Sequence, residues 1–406
     1  MTIVHRTLLE ETRLLTSDEA AGLLELALTG DPAVSIPGFQ ARLDELHYRP
    51  GAEVSGVFTV TFEPSPGDVQ SDHLVATSAE VEGEVATLRR GDVALRVWRH
   101  PADPRLPGLA PACDPATVLG WLTDAGVAPP EALHVELLGY RPLRRSVLRA
   151  TADRADYYLK VLRPGYDDRL AVRQELLAGA SLTVPILARP AAGVLLSPAA
   201  PGRPLAHALA DEEAQLPDPA DILALLDGLP AEVAGLPRRP SWSDRLDFHA
   251  ATARQHRPSD AGRVDRLVER IQRVLDRGRH GPTVPTHGDC YEANIFVDGA
   301  RLTFIDVDSA GPGLREDDLA CLLAHLAVLP TLAPGHYTRV PAVLGEWSAA
   351  FEECVDAADL RARTAAVLLS LVSGADPAQA ETRLALAERY AAAAEEITLK
   401  KRKGVR

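Results

Sequence analysis

The sequence predicts an α+β protein with a small sheet near mid-chain, a mostly helical C-terminal half and an extra α+β block at the N-terminus. Three observations predict it. "HVELLGYRP", "RSVLRATAD" and "ADYYLKVLRP", between His134 and Pro164, are short runs rich in Val, Leu and Tyr, the last two joined by the turn-like "ADRAD". The pattern then changes to "DDRLAVRQELLAGA", where Leu170, Val172, Leu176 and Leu177 sit near helical spacing. Beyond residue 200 the helical period dominates, except in "NIFVDGARLTFIDVD", where two β-rich runs flank the turn signal Asp298-Gly299.

A chain of 406 residues suffices for two or three domains, and 46% hydrophobic with 25% charged residues is ordinary globular composition. "HPADPRLPGLAPACDP" and "GVAPPEAL" break any continuing helix or central strand with proline. Three blocks follow: 1–130 as an accessory or cap domain, 131–200 as the sheet, and 201–406 as the helical part. "LHYRPGAEVSGVFTVTF" from residue 46 resembles "LGYRPLRRSVLRATA" from residue 138, and "LRVWRHP" resembles "LKVLRP", with Arg96 in the place of Lys160. The first block reads either as a degenerate copy of the following sheet or as hairpins drawn from the same restricted strand alphabet.

Charge and cysteine usage exclude several classes. A formal charge of −14 argues against general nucleic-acid affinity, which rests on basic patches that neutralise phosphates. The longest apolar runs, such as Leu319 to Leu329, are too short to span a bilayer, and the N-terminus lacks a secretory layout. Cys113, Cys290, Cys321 and Cys354 form no C-x-x-C pair, so a reducing cytoplasm fits better than a disulfide framework. Abundant Ala, Arg, Pro and Gly with little Lys suggests a GC-rich bacterial genome. Self-association is left open.

Lysine usage singles out one position. Of the 43 Lys and Arg residues, the lysines are Lys160, Lys400, Lys401 and Lys403, so the body of the chain uses arginine everywhere except on the strand "DYYLKVL". A compact ammonium with three rotatable donors is not interchangeable with a planar guanidinium, so position 160 resists the arginine default. Glu175 follows in the middle of the next helix.

The most specific stretch is "THGDCYEANIFVDGARLTFIDVD", from residue 286. Asp289 and Asn294 lie five apart on a predicted loop, and Asp306 closes the hairpin. Magnesium takes oxygen ligands, usually one or two carboxylates together with phosphate oxygens and water. Asn294 and Asp306 could provide them, leaving Asp289 to face a hydroxyl. Asp308 reads either as a further metal ligand or as an acceptor behind the ligands. Glu292 reads as a solvated carboxylate or as a selector of a cationic substrate. Cys290, with no clear histidine partner beyond His287, reads as a small packing residue.

H-G-D-x-x-x-x-N followed by a strand-borne I-D resembles the aminoglycoside phosphotransferase and choline kinase-like group, which has the protein-kinase fold, over roughly residues 131 to 330. The resemblance implies a two-lobed fold, ATP and Mg²⁺ as cofactors and a small-molecule hydroxyl as acceptor. It implies that Asp289 accepts the acceptor's proton, His287 braces the catalytic loop, Asp318 holds that loop from the next helix, and Asn294 and Asp306 hold metal. Lys160 would bridge the α/β-phosphates and Glu175. The loop "LLGYRPLRRS" takes the place of a glycine-rich phosphate loop but holds one glycine, Gly139, so backbone amides or Ser146 would touch phosphate. "GVLLSPAAPGRPL" resembles the interlobe hinge, with the backbone at Ser197 and Ala199 meeting adenine.

Two departures from protein kinases bear on substrate. Gly288 replaces the arginine of H-R-D, and eleven residues separate Asp306 from Asp318, too few for a long activation loop. A small-molecule kinase is therefore the leading expectation. The rivals are a kinase acting on Ser or Thr of a biosynthetic peptide and a non-catalytic pseudokinase scaffold.

Overall fold

The computed structural model describes residues 3–49, 52–278 and 280–404. Helices α1 (Ile3–Thr16) and α2 (Glu19–Thr29) precede five strands: β1 (Gln40–Arg49), β2 (Glu53–Ser65), β3 (Asp68–Thr77), β4 (Ala86–Arg90) and β5 (Val93–Arg99). They form one sheet in the order β1-β2-β3-β5-β4. Helices α3 (Leu109–Cys113) and α4 (Pro115–Asp124) follow. Asp114 caps α4 by accepting from the Ala116 and Thr117 amides, with Pro115 in the first turn.

A second, antiparallel sheet has the order β6-β7-β8-β9, from β6 (Leu133–Arg141), β7 (Arg145–Ala152), β8 (Ala155–Leu162) and β9 (Val194–Pro198). Its first three strands coincide with the predicted runs, and helix α5 (Tyr166–Gly179) occupies the predicted helical stretch. The strands of β7 alternate because one face is buried: Ser146, Leu148, Ala150 and Ala152 are buried, and the residues between them are partly exposed.

By contact density the chain divides into two compact units, Met1–Ala171 with Ile186–Ala199, and Val172–Pro185 with Ala200–Arg406. The first unit holds both sheets. No break falls at residue 130 there, because the segment after β5 builds the core of the second sheet. Trp98, Leu106, Leu109 and Val118 pack in one cluster with Leu148 and Leu159. At Gly108 a Cβ would run into the Val194 side chain and stand 3.1 Å from the Ala192 carbonyl, so only glycine allows this approach. We expect Leu109→Ala, at a site with no exposure, to lower unfolding free energy by about 2–5 kcal/mol in a denaturant titration.

The internal likeness extends to one hairpin and no further. The β1–β2 and β6–β7 hairpins close on Arg49↔Glu53 and Arg141↔Arg145, and each first strand carries one register shift, at Leu43/Glu45 and Leu137/Gly139. Arg96, however, does not take the place of Lys160. Its strand β5 pairs with β3 and β4, whereas β8 pairs directly with β7 and β9, so an additional strand separates β5 from its hairpin.

The second unit is mostly helical: α6 (Leu205–Ala210), α7 (Pro219–Asp227), α8 (Leu246–His256), α9 (Ala261–Leu275), α10 (Arg315–Leu332), α11 (Val340–Cys354), α12 (Ala357–Ser370) and α13 (Pro377–Gly404). Its core joins α8, α9, α10, α12 and α13, with α12 buried along nearly its whole length. Set among these helices are β10 (Arg203–Pro204), β12 (Ile295–Asp298) and β13 (Arg301–Phe304) in one small sheet, and β11 (Thr283–Thr286) paired with β14 (Gly311–Leu314). The hairpin expected at Asp298-Gly299 is present, closed by Asp298↔Arg301, with Gly299 at φ 58°. No described helix is long and apolar enough to cross a membrane.

Candidate active site

In the second unit, the predicted catalytic residues are tied together by backbone and side-chain hydrogen bonds. Strand β11 delivers His287, Gly288 and Asp289 just beyond its end. Asp318, in the first turn of α10, accepts the His287 and Gly288 amides through its two carboxylate oxygens, both at 2.8 Å. His287 is fully buried, its Nδ1 3.3 Å from the Asp289 amide and its Nε2 3.1 Å from the Ile305 carbonyl. An Nδ1 that accepts from an amide requires the proton on Nε2, which then donates to Ile305. Burial pushes this imidazole below its ordinary pKa, keeping it neutral. His287 is thus a brace between the loop and the strand that leads to Asp306.

Asn294 completes the frame. Its Nδ2 donates to the Asp289 carbonyl at 3.0 Å, and its own carbonyl accepts the Ile305 amide at 2.9 Å. With Nδ2 so engaged, Oδ1 is the side-chain atom oriented for a cation. Asp306 sits in the left-handed region at φ 53°, ψ 51°, a conformation uncommon outside glycine and concentrated at functional sites. Asp308 follows in the single turn Val307–Ser309. Among the described residues no three His, Cys, Asp or Glu side chains form a ready-made cage. An Asn carboxamide and one or two carboxylates are nevertheless the hard oxygen donors that magnesium takes alongside phosphate oxygens.

Gly288 has a physical reason to be glycine. At φ 78°, a Cβ there would stand 2.6 Å from the Ser309 carbonyl. The loop can therefore lie against the Asp306–Ser309 turn only without a side chain. Arg239 donates to the Ser309 hydroxyl at 2.7 Å, so its guanidinium flanks this turn, and burial with the neighbouring Arg239 lowers the Arg245 pKa against the opposing charges of Asp289 and Asp244. Arg173 of α5 donates to the Ala310 carbonyl at 2.9 Å. Sequence reading missed these three because arginine is the default cation of this chain and carries no motif.

Glu292 corrects the expectation of a solvated carboxylate. It is 5% exposed and its Oε2 has no hydrogen-bond partner, and the Ala206 amide of α6 docks onto its backbone carbonyl. Burial pushes its carboxyl up from 4.5 to about 7. A raised folded-state pKa gives stability that is complete below pH 4.5 and lost as pH rises through about 7. The loss amounts to about 3 kcal/mol. Melting temperatures followed across that window should therefore fall more steeply for wild type than for Glu292→Gln. Equal slopes would remove Glu292 from the account. Cys290 is buried and its thiol pushed up by burial, which makes it inert packing.

In the first unit, Lys160 lies on β8 opposite Val147 of β7 and Leu195 of β9. Directly paired residues share a face, so Ser197, opposite Tyr158, lies on the Lys160 face as well. Ser146 does not. It pairs with Val161, is 1% exposed, and donates to the Gly139 carbonyl at 3.0 Å. The expected Ser146 contact to phosphate fails because strand alternation turns this residue into the core. The Ala199 amide is engaged by the Asp156 carbonyl at 2.9 Å, so its carbonyl rather than its N–H is left for a base. Glu175 is exposed on α5 and falls in the second unit, whereas Lys160 is in the first. The buried polar residues of α5 are Asp167, Arg173 and Gln174.

A four-stranded antiparallel sheet bearing a lysine, with a helical unit bearing H-G-D-x-x-x-x-N and a strand-borne aspartate, defines a phosphotransferase of protein-kinase-like fold that acts on a hydroxyl acceptor. Residues 143–339, just under half of the chain, match the model of the phosphotransferase enzyme family. None of the curated proteins matches it. Among solved structures, it is similar to a choline kinase from Cryptosporidium parvum at 10% identity, covering 71% of this chain and 96% of that one with a TM-score of 0.45. A Plasmodium vivax ethanolamine kinase matches at 12% identity, covering 63% and 82%, with a TM-score of 0.40. A spectinomycin phosphotransferase in complex with ADP and spectinomycin matches at 12% identity, covering 69% and 98%, with a TM-score of 0.42.

Proposed function

We propose that the protein is an ATP- and Mg²⁺-dependent kinase that transfers the γ-phosphoryl group to a hydroxyl of a small molecule, aminoglycoside-, sugar- or amino-alcohol-like, in the cytoplasm. The observation that carries this reading is the frame around Asp289. Asp318, His287 and Asn294 fix its backbone on both sides and tie it to the segment that bears Asp306.

Under this reading Asp289 orients the acceptor hydroxyl and takes its proton as the oxygen attacks phosphorus. Phosphoryl transfer asks little covalent chemistry of a protein, so positioning and charge neutralisation dominate. Asn294 Oδ1, Asp306 and Asp308 would hold magnesium, which would supply neutralisation of phosphate charge. Lys160, on the face of its sheet opposite the Leu148 and Leu159 cluster, meets phosphate oxygens, and the backbone at Ser197 and the Ala199 carbonyl meet the base. Residues 131–200 then act as the small lobe, 201–406 as the large lobe, and 1–130 as an accessory block that braces the small lobe's sheet. The eleven residues from Asp306 to Asp318 hold one short turn and β14, which favours a small acceptor over an extended peptide.

The test is Mg·ATP consumption by the pure protein against a panel of aminoglycosides, sugars, amino alcohols and Ser/Thr peptides. Turnover that depends on one small-molecule class is expected. Turnover with peptides alone would replace that class, and silence together with no Mg·ATP binding would favour the scaffold reading.

A further inference from the structure

The turn that stands where a glycine-rich phosphate loop would be has its backbone amides engaged. The Leu143 amide donates to Asp103 Oδ2 at 2.7 Å, and the Arg144 amide donates to the Arg141 carbonyl at 3.0 Å. Ser146 faces the core. A glycine-rich loop grips phosphate with free N–H groups. This turn does not offer them at Leu143 and Arg144.

It offers guanidiniums on the correct face instead. Arg141 pairs with Arg145, Arg145 pairs with Leu162, and Val147 pairs with Lys160. Paired residues share a face, and residues two apart along a strand share it too, so Arg141, Arg145 and Lys160 all project from one side of the second sheet. Gly139, on the same side opposite Val147, leaves open space, with nothing within 4 Å of a built Cβ. Burial lowers the Arg144 pKa, and Arg49, Arg163 and Arg141 add to that against the opposing charge of Glu53.

The other side of the turn is pinned. Asp103 is 4% exposed and accepts from the Tyr140 hydroxyl at 2.6 Å, the Leu143 amide at 2.7 Å and the Arg105 amide at 2.8 Å. Leu143 takes φ 62° and is 2% exposed, its side chain clustered with Leu106 and Leu109. A leucine in the left-handed region costs energy and persists where surroundings hold it.

We propose that Arg145 and Arg141 bind the phosphates of the nucleotide through their side chains, in place of a glycine-rich loop, and that Asp103 is a positioning residue holding their turn in shape. This rests on the reading of Lys160 as a phosphate-binding residue. Guanidiniums suit the task because they present forked donors to phosphate oxygens.

The experiment compares affinities for Mg·ADP and for adenosine, which lacks phosphates, by calorimetry. Arg145→Ala should weaken Mg·ADP roughly tenfold or more, leave adenosine unchanged, and be partly restored in Arg145→Lys. Asp103→Asn should weaken Mg·ADP in the same selective way, because one oxygen becomes a donor facing a donor amide. Loss of adenosine binding in parallel would mean general unfolding of the sheet and would overturn the positioning role. Wild-type affinity for Mg·ADP in Arg145→Ala and in Arg141→Ala would overturn the proposal while leaving the kinase reading intact. Wild-type protein that binds neither ligand would overturn the kinase reading itself.

Discussion

Asp289→Ala is expected to lower acceptor-dependent phosphoryl transfer by roughly 10²–10⁴-fold, the usual contribution of a positioned general base, while nucleotide affinity changes little. The structure separates these outcomes. The hydrogen bonds that frame residue 289 involve its amide and carbonyl, which alanine retains. The substitution therefore removes the carboxylate and keeps these two backbone hydrogen bonds, and the loss should appear in kcat rather than in the Kd for Mg·ATP. Asp289→Asn, which keeps the shape but is a far weaker base, should behave the same way. If either variant kept wild-type turnover, Asp289 would not be the base, whatever the loop resembles.

The second large effect is expected from Lys160→Arg. Charge is conserved, and elsewhere in the body of this chain arginine is the rule. On β8 the side chain stands between Val147 and Leu195 on adjacent strands, where a short, rotatable ammonium fits and a flat fork has a different donor geometry. Removing a well-placed electrostatic donor costs roughly 10²–10³ in rate. We expect a loss near the lower end, seen in kcat and in the KM for Mg·ATP together. A fully active Lys160→Arg enzyme would mean that the lone lysine is an accident of composition.

Much of this was legible in the sequence where a local pattern has a local cause. The period-two runs of β6, β7 and β8 and the Asp298-Gly299 hairpin are such cases, because alternation and turn chemistry act over a few residues. The hydrogen bonds among His287, Asp289 and Asn294 have a local cause too, because residues two to five apart on one loop lie within reach of each other. The failures share a cause as well. Ser146 was placed by proximity to the turn, and the face it occupies is decided by pairing with Val161. Glu292 looked solvated because a loop carboxylate usually is, and the docking of Ala206 onto its carbonyl is a contact across 86 residues. Residue 130 looked like a boundary because prolines cluster there, but Leu106, Leu109 and Val118 before it complete the core of the sheet after it. Asp103, which joins the two regions through Tyr140 and Leu143, has no motif and became visible only in three dimensions.

The most direct measurement is the fate of the terminal phosphoryl group: γ-labelled ATP with magnesium, wild type beside Asp289→Ala, and the products separated into phosphorylated acceptor, phosphorylated protein and inorganic phosphate. The account predicts label in a phosphomonoester of a small-molecule acceptor with the wild type, and its loss with the variant. Label that stays in ATP with every acceptor, or that reaches products equally in both proteins, would contradict it.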